Sequence, residues 1–261
     1  MKKEMLKRMV ALSIALSVVP CGMASAEKAV VQEGTEDSTK WTAIVVNGRF
    51  DPADTESAQV GSDGYGSIAI GSGAKANVGT DLGVDNAIAI GTSSNAEGNY
   101  GIAVGSNADA TAYSTTAIGT QSGATGRGAS AFGGWATASK ESSTALGYYA
   151  AASGEYSLAE GYKADASGEN ATAIGTSAKA SAGDAIAIGS GAEASGAHSL
   201  AEGYGAKASG DYSNAFGSEA SASGKYSNAF GYGAKTVSED ANGGQVIGDY
   251  SNAVGYKAVA S

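Results

Sequence analysis

The sequence predicts an all-β protein, a flattened β-solenoid in which short coils of 14 residues stack on one another. Three observations predict this fold class. A glycine recurs every 14 residues from Gly91 to Gly231, and an alanine lies two residues before each one. The residues before each glycine alternate between small and larger side chains, which is the period of a strand. Forty glycines and many alanines and serines leave few large side chains for a thick core.

The first 26 residues have the pattern of a secretory signal peptide. Four basic residues precede an apolar run over 9–19, and Ala24-Ser25-Ala26 provides a small-x-small cleavage site. Cys21 raises the alternative of a lipoprotein, which Pro20 directly before it disfavours. Cleavage after Ala26 leaves a mature chain without cysteine, so we predict export across the inner membrane and stability without disulfides.

The charge balance limits the classes of partner. The whole chain has a net charge of −10, and the signal contributes +3 from four basic residues and Glu4, which leaves about −13 on the mature chain. A strongly acidic chain is repelled by nucleic acid and by anionic membrane surfaces. We therefore expect no nucleic-acid partner and no direct binding to a membrane surface.

Residues 27–60 precede the repeat and form an N-terminal flank. The stretch 41–46 is rich in β-branched and aromatic residues and predicts a strand, which ends at the Asn47-Gly48 turn. Because solenoid ends require a cap, we interpret this flank as the cap of the first coil. A small separate module is the alternative.

The repeats occupy residues 61–261, and two insertions interrupt their frame. The first comparable unit begins near Ser67, and six extra residues near 77–85 separate it from the next unit. The frame breaks again near 236–248 and resumes ten residues late. Both insertions predict loops that protrude from one face of the solenoid.

Each coil is predicted to contain two short strands. The first ends at the repeated glycine, and the second has alanine or serine three and five residues after that glycine, as at Ala192 and Ala194. A further glycine often closes the second strand, where we expect a turn with positive φ. These closing glycines are Gly154, Gly168, Gly196, Gly210 and Gly224.

Large side chains share one face of the first strand, opposite the small residues that point inward. On a lone chain they would form a continuous exposed apolar stripe, which indicates a partner surface. Identical coils favour association of like subunits about a rotation axis. The predicted interface residues are Ile68, Ile70, Ile88, Ile90, Ile102, Val104, Ile118, Phe132, Leu146, Ile174, Ile186, Ile188, Phe216 and Phe230.

The repeat units resemble those of a known family. Ser67-Ile-Ala-Ile-Gly-Ser-Gly-Ala74, Ala171-Thr-Ala-Ile-Gly-Thr-Ser-Ala178 and Tyr226-Ser-Asn-Ala-Phe-Gly-Tyr-Gly-Ala234 are similar to the head repeats of YadA-type trimeric autotransporter adhesins. The resemblance covers about residues 65–261. It implies a left-handed parallel β-roll, a homotrimer with the apolar strand face between subunits, and a place on the cell surface at the outer membrane.

The resemblance also implies a function. Such heads bind host extracellular-matrix proteins, cell-surface receptors of host cells, or other bacteria. Family members continue into a neck, a coiled-coil stalk and a C-terminal membrane anchor, and no heptad run is found in this sequence. We therefore expect membrane attachment only through a C-terminal anchor outside this chain. A spacer that projects another domain, and an ice- or glycan-binding solenoid, are the alternatives.

Catalysis has little support in the sequence. His198 is the one histidine, and it occupies the slot that tyrosine holds in sister coils, so we interpret it as a turn residue and not as a base. The glycine-rich stretches match no phosphate-binding loop, and the ligand spacing of a calcium-binding roll is absent. We expect no catalytic residue, no cofactor and no metal.

Glu160 and Glu202 occupy slots where other coils carry isoleucine or phenylalanine. If that face meets the threefold axis, the carboxyl groups need partners or must be protonated. We expect Lys163, an ion or a water near them. The alternative is that each carboxylate lies at the strand edge and reaches solvent.

Tyrosines concentrate at the two turns of the coil. Tyrosine gives rigid amphipathic contact area, so these side chains are the candidate ligand contacts. Ring stacking that merely covers the junctions between coils is the alternative. The candidates are Tyr148, Tyr156, Tyr162, Tyr204, Tyr212, Tyr226 and Tyr232.

Overall fold

The computed structural model describes residues 28–32, 43–47, 59–60, 67–76, 86–239, 245–247 and 249–260. The predicted signal peptide and the predicted insertion over 77–85 lie outside these residues. Every regular element in the described ranges is a β-strand. Across these same ranges, no helix has the length and apolar character needed to cross a membrane.

The strands are short and follow one another at the spacing of the repeat. In chain order they are β1 (Lys28–Gln32), β2 (Ala43–Asn47), β3 (Gln59–Val60), β4 (Ile68–Ile70), β5 (Lys75–Ala76), β6 (Ile88–Ile90), β7 (Asn95–Ala96), β8 (Ile102–Val104), β9 (Asp109–Ala110), β10 (Thr116–Ile118), β11 (Gly123–Ala124), β12 (Ser130–Phe132), β13 (Thr137–Ala138), β14 (Thr144–Leu146), β15 (Ala151–Ala152), β16 (Leu158–Glu160), β17 (Asp165–Ala166), β18 (Thr172–Ile174), β19 (Lys179–Ala180), β20 (Ile186–Ile188), β21 (Glu193–Ala194), β22 (Leu200–Glu202), β23 (Lys207–Ala208), β24 (Asn214–Phe216), β25 (Ser221–Ala222), β26 (Asn228–Phe230), β27 (Val237–Glu239), β28 (Gln245–Ile247) and β29 (Asn252–Val254).

Two long sheets form the solenoid, and alternate strands along the chain belong to each. The first sheet runs β1-β2-β4 and then through the even-numbered strands to β26 and β29, and the second runs through the odd-numbered strands from β3 to β25. From β4 onward the pairs in the first sheet are parallel and in register, so Ala117 pairs with Ala103 on one side and Ala131 on the other. The predicted all-β parallel solenoid is confirmed.

The core between the sheets consists almost entirely of alanine. The central alanine of each described first-sheet strand from β4 to β26 is fully buried, and so is the second residue of most second-sheet strands. Buried serines and threonines fill the remaining places. Several of their hydroxyls donate to the carbonyl three residues back, as from Ser157 Oγ to Gly154 O at 2.7 Å, whereas Ser199 Oγ and Ser213 Oγ have no hydrogen-bond partner in the single chain. Side chains this small let the sheets pack closely, and a larger side chain has no room between them.

The repeated glycine begins the first turn of each coil. At Gly175 the backbone has φ +129°, Ser177 two residues on has φ +55°, and Ala178 N donates to Gly175 O at 3.2 Å. A Cβ at Gly175 would lie 2.6 Å from the carbonyl oxygen of Gly189 in the next coil. Only glycine meets both demands, because it accepts this φ and brings no atom into that contact.

The prediction about the second turn is wrong in one respect. Gly154, Gly168, Gly196, Gly210 and Gly224 do not have positive φ; the left-handed residue comes two positions later, as at His198 with φ +56°. These glycines serve close approach instead, since a Cβ at Gly196 would lie 2.0 Å from Gly210 O. The sequence correctly marks these positions as ones that need glycine. The reason, however, is the close backbone contact with the next coil and not a positive φ.

The solenoid extends beyond its regular coils at both ends. In the predicted flank, β2 pairs with β4 in parallel and β1 pairs with β2 antiparallel, so both strands continue the first sheet. In the predicted insertion near 236–248, β27 and β28 pair antiparallel as a separate two-stranded sheet. Parallel bridges from Ser221 to Lys235 and from Lys235 to Val259 carry the second sheet past that insertion.

Candidate functional site

The outer face of the first sheet carries the predicted interface residues. Each three-residue strand has a buried alanine at its centre and an outward side chain on each side, so the outward side chains stack into two columns along the sheet. We call these columns the outer apolar face. In the single chain the predicted interface residues are only partly exposed, and among the more exposed of them are Ile118 at 38 %, Leu146 at 44 % and Phe230 at 40 %. Phe216 and Phe230 stack at 5.8 Å between ring centroids.

Glu160 and Glu202 lie in this same face. Glu160 pairs in register with Leu146 and Ile174, and Glu202 pairs with Phe216 on one side. Lys163 does not form an ion pair with Glu160, because its Nζ lies over the Tyr162 ring at 5.2 Å from the centroid. A partner for the carboxyl group at a threefold axis (Lys163, an ion or a water) stays a prediction, and Glu160 is exposed to solvent in the single chain.

Toward the C-terminal end one column of this face changes from aliphatic to amide, while Phe216 and Phe230 continue the other column. Asn214 Nδ2 donates to Asn228 Oδ1 at 2.8 Å, and Asn228 Nδ2 donates to Asn252 Oδ1 at 2.7 Å. The ladder arises because in-register stacking places identical side chains directly above one another. The sequence carries this signal as Ser-Asn-Ala in three coils, but the hydrogen bonds were not predicted.

The outer face of the second sheet is polar and charged. Asp165, Lys179, Glu193 and Lys207 follow one another along it, and Lys207 Nζ lies 3.6 Å from Glu193 Oε2. Farther along, Asp109 Oδ1 accepts from Asn95 Nδ2 at 3.1 Å. Burial raises the pKa of Asp109; the bond from Asn95 lowers it, and the nearby Glu97 charge raises it. The two sheets therefore present opposite surfaces, one apolar and one charged.

Four aromatic side chains meet at the edge formed by the first turns. We call Trp135, Tyr148, Tyr149 and Tyr162 the aromatic cluster. Trp135 and Tyr149 stack at 5.3 Å and 19°, and Tyr148 and Tyr162 lie parallel at 6.1 Å and 3°. Tyr148 is nearly perpendicular to Tyr149, at 88° and 4.6 Å. The four rings form two walls of an open corner, and 38 to 46 % of each side chain is exposed.

The local sequence explains this arrangement. Trp135 and Tyr149 lie two residues after their repeated glycines, in the left-handed conformation with φ +55° and +59°. Gly134 has no side chain, and the Tyr148 ring covers it so closely that a Cβ there would lie 3.2 Å from two ring carbons. Partial desolvation by its neighbours, and the nearby hydroxyls of Tyr149 and Tyr162, raise the pKa of the Tyr148 phenol.

A second set of rings lines the edge formed by the second turns. His198, Tyr212, Tyr226 and Tyr250 stack in consecutive coils, with centroids 4.7, 5.0 and 5.1 Å apart. His198 Nδ1 also lies 3.4 Å from Asp184 Oδ2 in the preceding coil. The histidine thus occupies the tyrosine slot of the turn. Over the residues that the structure describes, no three His, Cys, Asp or Glu side chains cluster as a metal site requires.

The predicted tyrosines divide between these two edges. The structure brings Tyr148 and Tyr162 together at one edge and Tyr212 and Tyr226 at the other, whereas Tyr204 stands 65 % exposed. Tyr232 stacks with Tyr256 at 5.4 Å, and Tyr156 is 53 % exposed. Trp135 and Tyr149 were missed, although both follow a repeated glycine by two residues. Their shared position, two residues after the repeated glycine, indicates that both side chains lie at the first-turn edge.

Comparison with known proteins identifies the repeat. The YadA head domain repeat matches residues 62–80, 85–108, 110–136, 124–150, 138–164, 166–192, 194–220 and 208–234. The chain belongs to the YadA head domain repeat family. One similar solved structure is the collagen-binding domain of the Yersinia adhesin YadA, at 24 % identity over 73 % of this chain and 80 % of that one, with a TM-score of 0.26. No curated protein sequence matches the chain.

The residues that match the YadA head repeat cover most of the solenoid. They include the regular coils, the outer apolar face from β4 to β26, and the aromatic cluster, while β1 to β3 and β27 to β29 lie outside the matched residues. Membership of the YadA head family supports an adhesin-type role and a setting on the bacterial surface.

Proposed function

We propose that the chain is the head of a surface-displayed adhesin that assembles from three copies and attaches the cell to a host matrix protein or a host cell-surface receptor. The observation that carries the proposal is the outer apolar face. Aliphatic and aromatic side chains fill most places of the column from Ile70 to Phe230, which Glu160 and Glu202 interrupt. Leu146, Phe216 and Phe230 in this column are between 37 and 44 % exposed in the single chain.

The space between the two sheets is too small to hold these side chains. Alanine fills the space between the sheets, so no isoleucine or phenylalanine can turn inward without separating them. An apolar strip of this length on an exported protein is stabilised by removal from water. Association of like chains about one axis covers the strip on every subunit with the same contacts.

Three-chain association also explains how repeated weak contacts could give firm attachment. Exposed aromatic rings occur in several coils along the rod, and three chains would multiply these contacts again around the axis. Linked copies of a weak contact bind with much higher avidity than one copy when the ligand reaches several of them. The candidate contacts are the exposed turn tyrosines and Trp135, which supply rigid amphipathic area.

Deleting whole coils tests this function against that of a spacer. Removing 148–161 takes out one coil with Tyr148, Tyr149 and Tyr156, and removing 176–189 takes out a coil without aromatic residues. Each deletion is one full period, so the flanking coils can restack in register. The assay measures attachment of protein-coated beads to surfaces coated with collagen, fibronectin or laminin.

An adhesive head predicts that the 148–161 deletion loses attachment and the 176–189 deletion keeps it. A spacer predicts no specific attachment that depends on either coil. Circular dichroism and molar mass show whether both deletion proteins keep the fold and the assembly, so a folding failure is not mistaken for a loss of binding.

A further inference from the structure

We propose that the aromatic cluster is a carbohydrate-binding site that takes an unbranched oligosaccharide of equatorially linked pyranoses. The inference deepens the proposed adhesive function and rests on it. It names the ligand class for one edge of the rod: sugar rings would lie over the exposed faces of Tyr148, Tyr162 and Trp135.

The first step is that ring faces are available in the cluster. Tyr148 and Tyr162 are parallel but their centroids are 6.1 Å apart, well beyond the ~3.5–4.0 Å contact distance of stacked carbon atoms. The rings are therefore offset, and a strip of each face remains uncovered. The faces carry negative charge density from the π-electrons, which attracts the C–H bonds on the apolar side of a pyranose.

The second step is the spacing of the coils. Neighbouring strands of a sheet lie about 4.7–4.9 Å apart, and the turn residues repeat at the same interval. This interval is close to the length of one pyranose in an equatorially linked chain. A sugar chain along the rod can therefore place successive rings over successive coils, whereas an extended polypeptide advances by a different repeat.

The third step is the composition of the surrounding surface. In the coils on either side, the two slots after the repeated glycine hold Thr120, Gln121, Thr176 and Ser177, all exposed. Hydroxyl and amide groups next to aromatic rings suit the hydroxyls of a sugar. No aliphatic residue occupies these slots, so the rings stand among groups that can donate and accept hydrogen bonds.

The fourth step is charge. Along the first-turn edge from 120 to 191 these slots contain no acidic residue, and they contain the Lys163 ammonium over the Tyr162 ring. The opposite edge carries Glu141, Glu155 and Glu169 in the same coils. On a chain with a net charge of −10, this edge has no carboxylate in these slots that would repel an acidic glycan.

The test uses the intrinsic fluorescence of the cluster. Trp135 is one of two tryptophans, so Trp41→Phe makes it the sole reporter in residues 27–261. The protein is titrated with chitohexaose and with cellohexaose. We expect a saturable change in Trp135 emission with at least one of them. The combined variant Tyr148→Thr and Tyr162→Thr should weaken that binding by about tenfold or more.

The control variant comes from the opposite edge. Tyr212→Asn removes one ring of the second-turn stack and should leave the oligosaccharide affinity unchanged. Both substitutions use residues that the same slots carry in sister coils, threonine at 176 and asparagine at 170, so the fold tolerates them. Matching circular dichroism spectra and molar masses verify this.

The outcomes separate this inference from the proposed function. No saturable change with either sugar, or a change that persists in the Tyr148→Thr and Tyr162→Thr variant, overturns the carbohydrate site. If that variant loses bead attachment although neither sugar binds, the cluster contacts protein, and the adhesive function stands without this inference. If the unmodified protein binds sugar but attaches to no surface, the adhesive function fails.

Discussion

Replacement of Gly175 by alanine should be among the most damaging single changes in a regular coil. Gly175 has φ +129°, and an added Cβ would lie 2.6 Å from the carbonyl oxygen and 2.7 Å from the carbonyl carbon of Gly189. The contact is with backbone, so no flexible side chain can move away. Relief requires the two coils to separate near the Gly189 N→Ile174 O hydrogen bond, which is 2.8 Å long.

The structure supplies two matched controls that separate the causes. At Gly191 an added Cβ would have no neighbouring atom within 4 Å, but the backbone has φ +67°. Gly191→Ala should therefore lose only the stability that a left-handed alanine costs, about 1 kcal/mol. Gly183→Ala meets open space without positive φ and should be neutral or stabilise by about 0.4–1 kcal/mol. For Gly175→Ala, backbone strain of about 1–3 kcal/mol adds to overpacking of about 1–3 kcal/mol. The two terms together predict a loss of about 2–6 kcal/mol.

Denaturant midpoints of the three variants, followed by circular dichroism, give the ranking. Stacked coils and assembly complicate a two-state analysis, so the order of the midpoints is the quantity to compare. The expected order is Gly183→Ala highest, then Gly191→Ala, then Gly175→Ala. A midpoint for Gly175→Ala equal to that of Gly191→Ala would refute the view that close backbone approach between coils requires the repeated glycine.

Three further changes test other parts of the account. Burial raises the pKa of Asp109, so folding favours the protonated carboxyl and stability falls as the pH rises above 3.8 through the folded pKa. Asp109→Asn should raise the melting temperature at neutral pH and flatten its pH dependence, and an unchanged pH profile would contradict this. Asn228→Thr removes two amide hydrogen bonds and should cost about 1 kcal/mol in thermal unfolding, whereas a loss near zero would show that the ladder is incidental. Glu160→Ile removes a carboxyl group from the outer apolar face and should stabilise the assembled form by about 1–4 kcal/mol; an unchanged melting temperature would mean that the carboxylate stays hydrated there.

Much of the fold could be predicted from the sequence because the coil is local. A strand of three residues, a turn and a second strand all fall within 14 residues, so the period of the glycines and the alternation around Ala117 or Ala187 define the coil without any long-range pairing. The stacking follows because all coils have the same pattern. When neighbouring coils pair in register, the central alanine of each first strand packs against the central alanines of the coils above and below.

The details that depend on contacts between coils were harder to predict. The role of Gly196 depends on where the Gly210 carbonyl lies, which only the stacked structure shows. The sequence also did not show that the Lys163 ammonium lies over the neighbouring Tyr162 ring, which follows from the two residues being adjacent at the turn. The aromatic cluster combines rings from three coils at two offsets from the glycine, and a list of tyrosines did not reveal that the tryptophan joins them.

The molar mass of residues 27–261 in solution, measured by light scattering at micromolar concentration, tests the central claim most directly. That claim is that a coil with an alanine core must bury its outward isoleucines and phenylalanines against sister chains. The account predicts three times the mass of one chain. A stable species with the mass of a single chain would contradict it.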